Sequence, residues 1–394
     1  MKKINALTFF ALIIIPILLI VLFSAYIREY SVGWKEISLV FISYYICNIS
    51  VGIGFHRYWA HASYKTNKFV ELILVLLTTG TLQGPVLYWI SDHYLHHSYT
   101  DKENDPHSPL KYKNRLLGFL WSHIGWLLVK DRNRHNIIPA VKKKYADNKL
   151  LAWQLKYYLH LAILMNLILP AFVGYIFIAN NFQGILAGIL FVGIGRAFQQ
   201  QATFFINSLC HFYGSRKYSE NTSGDIWWLA PFLLGENYHN YHHAFPSDYR
   251  NGVKWHHFDV HKWIIYCMNK LGLAWDLNKT NKIRIQAKVE YMEKQNQDFL
   301  RNEWLKIQTK IVQLKTSVKY KLSAVKKSSI SINEQSQNKF DEISKKLESL
   351  YQKASNFINM PENSSDKIVK QYELSVAKFE SKIKYLVQYY KLSL

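Results

Sequence analysis

The sequence predicts an all-α integral membrane protein with four transmembrane helices, followed by a Lys-rich helical extension. Three observations predict it. Four apolar runs before residue 206 are long enough to cross a bilayer core as helices. All 16 histidines fall between His56 and His261, several of them spaced three and four apart. Beyond Asp276 apolar residues recur at helical steps in a Lys-rich background.

Residues 5–26, NALTFFALIIIPILLIVLFSAY, form the first span. The run exceeds a secretory signal core, and FSAY lacks the small residues of a cleavage site. Residues 36–55, 161–179 and 184–205 form the other three. Residues 69–90 are also apolar, but Glu71, Gln83 and the breaks at Gly80, Gly84 and Pro85 suit lipid poorly. A crossing there would also separate His56 and His61 from His93, His96 and His97. An interfacial or re-entrant helix keeps every histidine on one side. That side holds Lys2, Lys3, Lys130, Arg132, Arg134 and the run from Lys142 to Lys144. By the positive-inside rule it is the cytoplasmic side, with both termini.

The net charge is +22, and residues 278–394 carry 23 Lys and Arg against 12 Asp and Glu. Such an excess suits an anionic membrane surface or acidic partners. No zinc-finger spacing or other nucleic-acid motif is present, so nucleic acid is not expected as a partner. Cys47, Cys210 and Cys267 lie far apart without a CxxC pair, which fits a reducing compartment rather than a disulfide framework.

The histidines form four groups: HRYWAH (His56, His61), DHYLHH (His93, His96, His97), NSLCHF (His211) and HNYHH (His239, His242, His243). Positions i, i+3 and i+4 share one helix face. His56 and His61, five apart, diverge on an ideal α-helix and would converge if the helix ends between them. Nine imidazoles exceed one mononuclear site, since zinc takes four ligands at most in a structural site. Two six-coordinate metals fit the count. Imidazole suits several metals; a nitrogen-rich cluster in greasy surroundings favours iron. His107, His123, His135, His160, His256, His257 and His261 read as ordinary polar residues.

At this point the chain resembles the membrane fatty-acyl desaturases, in their acyl-CoA delta-9 branch. The resemblance runs from about residue 34 to 277, through GFHRYWAHASYK, DHYLHHSYTDKENDPHS, FLWSHIGWLL, INSLCHFYG and ENYHNYHHAFPSDYRNG. It implies four spans carrying a cytoplasmic helical cap, with two iron ions held by His56, His61, His93, His96, His97, His211, His239, His242 and His243. Asn207 matches the family's asparagine that holds a water at the metals. Gln83, Trp89 and Thr203 match positions at the bend of the acyl tunnel, and Lys130 a basic residue near the headgroup. Ser91 and Tyr94 stand where animal members carry arginine, and Asp131 where another base is usual. Asp92, Asp101, Asp105 and Glu236 read as groups orienting imidazoles.

The implied reaction removes two hydrogens from a saturated fatty acyl chain, acyl-CoA first among carriers, and reduces O2 to water. Two electrons come from outside, from a ferredoxin or a cytochrome b5 with its reductase, because no HPGG haem motif is present. A bacterial inner membrane or the endoplasmic reticulum would house it. A membrane di-iron hydroxylase is the alternative chemistry. A non-enzymatic metal-binding protein or transporter would need more polar or ionisable residues within the spans than Asn48, Asn166, Arg196 and Gln199 to Gln201.

The extension, 278–394, follows the membrane domain 1–277 with three apolar stripes. The first is Leu300, Trp304, Ile307, Ile311, Leu314, Val318 and Val325. The second runs through Phe340, Ile343, Leu347, Leu350 and Phe357, and the third through Ile368, Tyr372, Phe379, Ile383 and Leu386. They predict amphipathic helices that pack together or on a helical partner.

Overall fold

The computed structural model describes residues 4–129 and 136–327, with Asn338, Lys345, Leu374, Val376, Ala377, Lys378 and Ser381 beyond them. Among the described residues, four helices are long and apolar enough to cross a membrane: Ala6–Glu29, Trp34–Ala60, Tyr158–Phe177 and Phe182–Phe212. Each contains or closely overlaps a predicted apolar run. Leu19, Tyr26, Leu39, Leu190 and Phe191 bury one another between the first, second and fourth.

The third and fourth spans approach at glycine. A Cβ on Gly188 would lie 2.0 Å from the Pro170 carbonyl oxygen, and one on Gly174 would lie 2.1 Å from that of Gly184. Small residues let the backbones touch where lipid supplies no hydrophobic drive. Gly188→Leu should therefore force the pair apart, at a cost of about 1–3 kcal/mol or more. A lowered unfolding temperature in detergent would report it; an unchanged one would refute the close contact.

Residues 69–90 fall in two separate helices, Lys68–Gly80 and Val86–Tyr99, with a break between. Neither counts among the candidate spans. The break frees backbone groups that need partners in apolar surroundings. Tyr158 Oη accepts from Gly84 N at 3.0 Å and Gln154 Oε1 from Val86 N at 3.0 Å. Gln200 Nε2 donates to Thr81 O at 2.9 Å. Gln200 of the fourth span and Gln154 of the helix Lys149–Lys156 are thus spent on this break.

A two-stranded antiparallel ladder, Lys65–Thr66 with Ala274–Trp275, was not anticipated. It fastens the closing LAWDL segment beside the first histidine group. Asn278 extends the fastening, donating from N to Ser63 O at 2.8 Å and from Nδ2 to Ala62 O at 2.9 Å.

The chain divides into two compact units, Met1–Gln286 and Ala287–Leu394. A helix of 46 residues, Lys282–Lys327, opens the extension. Ile307 and Ile311 of the first stripe are buried. The second and third stripes lie outside the described residues, as do Lys130, Asp131 and His135.

Candidate metal centre

The first histidine group sits at the end of the second span, where the helix is not α. Residues Ser50–Ala60 form a π-helix. Its i→i+5 hydrogen bonds place residues five apart on one face. His61 N donates to His56 O at 3.1 Å, and the two rings lie 4.8 Å apart. Convergence thus comes from a wider helical turn, and His61 is its C-cap. The helix does not end between them, the one route to convergence that the spacing had suggested.

The second group occupies the last turns of Val86–Tyr99, and the third group the short helix His239–Ala244. His211 follows a break at Ser208 in the fourth span. The nine rings gather into two clusters. Ring nitrogens of His56, His61, His93, His97 and His242 all lie within 4.8 Å of one another, as do those of His96, His211, His239 and His243. Spacing alone left this division open.

Within the clusters Nε2 faces Nε2. His56 and His242 approach at 2.9 Å, His242 and His97 at 3.0 Å, His61 and His93 at 2.7 Å. In the other cluster His211 and His239 approach at 2.9 Å, His239 and His243 at 3.1 Å, His96 and His243 at 3.2 Å. A cation about 2.0–2.1 Å from two nitrogens at right angles sets them roughly 2.9 Å apart. On three of the rings the opposite nitrogen meets an acceptor, whereas His239 Nδ1 is buried without one. Glu236 Oε2 lies 2.7 Å from His56 Nδ1, Asp105 Oδ1 lies 3.0 Å from His96 Nδ1, and Thr222 Oγ1 lies 2.9 Å from His211 Nδ1. Acceptors there keep the proton on Nδ1 and leave an Nε2 lone pair pointing inward. Lone pairs facing one another at these distances fit two metal ions.

Burial, reinforced by neighbouring imidazoles, pushes His61, His93, His96, His97, His242 and His243 well below the ordinary imidazole range, and His239 down to about 3. They are neutral donors at neutral pH. The unfolded chain binds protons below about 6.5 while these folded rings do not, so stability declines as pH falls. The metal-free chain should show an unfolding temperature that drops steeply from pH 7 to pH 5; a flat profile would contradict the burial of neutral rings.

Of the carboxylates expected to orient imidazoles, Glu236 and Asp105 touch ring nitrogens directly, and Asp101 reaches His211 through Thr222. Asp92 is half-buried beside His93. Glu236 is the centre of a buried charge cluster. Its Oε1 accepts from Arg57 Nη2 and His261 Nδ1, both at 3.0 Å, and its Oε2 from Asn251 Nδ2 at 2.9 Å. Burial alone would raise its pKa, but His56 and Arg57 outweigh that and hold it well below the carboxylate range. Asp259 closes the cluster, 3.0 Å from Arg57 Nη2.

The sequence reading set His107 and His261 aside as ordinary. His261 is fully buried against Glu236, and the His107 ring lies 4.2 Å from His96. Thr222, Asn251 and Asp225 were missed. Asp225 Oδ1 accepts from Asn240 N at 2.7 Å and Tyr241 N at 3.2 Å, anchoring the third histidine helix. None has a motif of its own, so only proximity in the fold reveals them. His123 behaves as read, between Ser208 Oγ and Gln201 Oε1.

Gln83, Trp89 and Thr203 come together. Gln83 Nε2 donates to Thr203 Oγ1 at 3.3 Å and to Gln199 Oε1 at 3.4 Å, and Trp89 Nε1 donates to Gln83 Oε1 at 3.3 Å. The Trp89 ring stacks on His93 with centroids 4.9 Å apart. A polar knot thus abuts the five-histidine cluster. Asn207 is the half-buried last residue of the helix Phe182–Asn207, four before His211. Ser91 is a packing residue: its Oγ donates to Leu87 O at 2.7 Å and accepts from Ile138 N at 3.3 Å.

A family model described as fatty acid desaturase matches residues 36–266, which include all nine histidines of the four groups. The chain belongs to the fatty acid desaturase family. Over 246 residues it is 34% identical to acyl-CoA desaturase 1 of Saccharomyces cerevisiae, covering 62% of this chain and 46% of that protein. It is 32% identical over 265 residues to delta-9 acyl-lipid desaturase 1 of Arabidopsis thaliana, covering 66% and 80%. With stearoyl-CoA desaturase of Mesocricetus auratus it shares 34% identity over 272 residues, covering 67% and 72%. The chain spans about half the length of the yeast relative. The family match leaves out the first span and the whole extension.

Proposed function

We propose that this desaturase-family chain introduces a cis double bond, at delta-9, into a saturated fatty acyl chain, using O2 and two electrons from an external donor and releasing water. One observation carries the reading: two clusters of inward-facing Nε2 atoms beside a tryptophan-lined polar knot at a helix break. His56, His61, His93, His97 and His242 would hold one iron, and His96, His211, His239 and His243 the other, with Asn207 contributing through a water. Iron bound there would supply O2 activation and hydrogen abstraction.

The chain's own residues position and insulate. Glu236, Asp105 and Thr222 hold the Nδ1 protons of His56, His96 and His211, so those rings present Nε2 inward. Gln83, Trp89 and Thr203 tie the helix break to the fourth span and give the acyl chain a fixed bend beside His93. Holding unactivated carbons at one depth is what selects the bond. The relatives' names divide between acyl-CoA and acyl-lipid substrates; acyl-CoA is the carrier proposed, with Lys130 near its headgroup. In this orientation the clusters and both termini face the cytoplasm, where a ferredoxin or cytochrome b5 can reach them.

The test is gas chromatography–mass spectrometry of total fatty acids from a desaturase-deficient host expressing the chain, with bond positions located by derivatisation. New cis-9 monoenes are expected. Hydroxylated chains instead would replace the reading with that of a hydroxylase. Purified enzyme offered acyl-CoA or phospholipid in turn then separates the carriers.

A further inference from the structure

The loop between the second histidine group and Ser108, TDKENDPHS, supports two members of the four-histidine cluster at once. Asp105 Oδ1 lies against His96 Nδ1 at 3.0 Å, while its Oδ2 accepts from Asp101 N at 3.1 Å. Asp101 takes a left-handed backbone, φ +66°, a region that aspartate tolerates better than most residues. That twist sends its carboxylate towards a different part of the chain. Oδ2 accepts from Thr222 N at 2.6 Å, and Oδ1 accepts from the Thr222 hydroxyl. The same hydroxyl faces His211 Nδ1 at 2.9 Å, whereas the Asp101 carboxylate itself is 4.0 Å from that nitrogen.

The protons can be placed. Thr222 Oγ–H donates to Asp101, so its oxygen lone pairs are left to accept from His211 Nδ1–H. His211 Nε2 is then a bare lone pair directed at His239 Nε2, 2.9 Å away. His56 and His96 reach carboxylates directly. His211 reaches one through a hydroxyl.

We propose that Thr222 is a positioning residue of the four-histidine cluster, relaying the Asp101 carboxylate to His211 and locking that imidazole in its metal-binding tautomer. This rests on the two-iron reading but not on the reaction that the irons perform. Asp101 and Asp105, joined through the Asp101 N–H, make His96 and His211 respond as a unit. Thr222 is the link that lies outside the histidine motifs.

The test compares Thr222→Val, which keeps the shape and removes the hydroxyl, with Thr222→Ser, which restores it. Full-length chain in nanodiscs is stripped of metal and titrated with Fe2+ against a chromogenic chelator. Thr222→Val is expected to weaken one of the two bound irons by about 10–100-fold and leave the other unchanged, the usual consequence of losing a partner behind a metal-binding histidine. Thr222→Ser should lie within about 3-fold of the parent. The metal-free unfolding temperature should match the parent's in Thr222→Ser and fall by only a few degrees in Thr222→Val, which loses one buried hydrogen-bonding group. Both irons bound by Thr222→Val as tightly as by the parent would overturn the proposal. So would Thr222→Ser behaving like valine, or a fall in metal-free stability large enough to account for the loss. Iron affinity is read without any desaturation assay, so failure here is distinct from failure of the proposed function.

Discussion

His242→Ala is expected to abolish the monoenes in the fatty-acid assay and to leave the purified chain with about one iron in place of the two proposed. The reason is its place in the five-histidine cluster. Its Nε2 is shared between His56 at 2.9 Å and His97 at 3.0 Å, so it joins the first group to the second. His56 and His97 alone come from different helices, and removal of the shared nitrogen leaves each facing a gap. The four-histidine cluster does not contain His242 and should keep its metal. Elemental analysis alongside the product assay checks both halves. Full activity in the variant would remove His242 from the ligand set. Loss of both irons would show that the two clusters do not load independently.

Glu236→Leu is the largest stability change expected outside the histidines. The carboxylate is 3% exposed and gathers Arg57, His261, Asn251 and His56 around itself. Breaking a buried charge cluster by removing one partner costs about 3–5 kcal/mol, because the other charge is left without compensation. Here Arg57 keeps Asp259, 3.0 Å away, so the lower end of that range is expected. Glu236→Gln should cost less, since the amide oxygen still accepts from Arg57. The depressed pKa of Glu236 also sets a direction: its contribution is present above the unfolded carboxylate value, about 4.3, and is lost as pH falls through the folded value. Denaturation in detergent, parent against Leu and Gln variants, gives the order. A Leu variant as stable as the parent would mean that the cluster confers no net stability.

The same residues explain how far the sequence could be read. Apolar run length is a local property, so all four spans were legible. The exclusion of residues 69–90 was legible too, because its glycines, proline and glutamine conflict with lipid wherever they fold. The nine histidines were legible as a set through their motif spacing. What failed was local geometry with a non-standard period. His56 and His61 converge on a π-helix, and nothing in a 3.6-residue template announces one. His261 was read as ordinary because its partner, Glu236, is 25 residues away in the chain.

By itself, then, the sequence determined that this is a helical membrane protein with nine clustered imidazoles of desaturase type, since hydropathy and motif spacing are carried by neighbouring residues. Only the tertiary structure decided which five histidines face one point and which four face the other. It also decided that Thr222 and His261 stand behind them. Those relations join groups far apart along the chain, and they exist only after a π-helical turn, a left-handed Asp101 and the packing of four spans have set the rings in space.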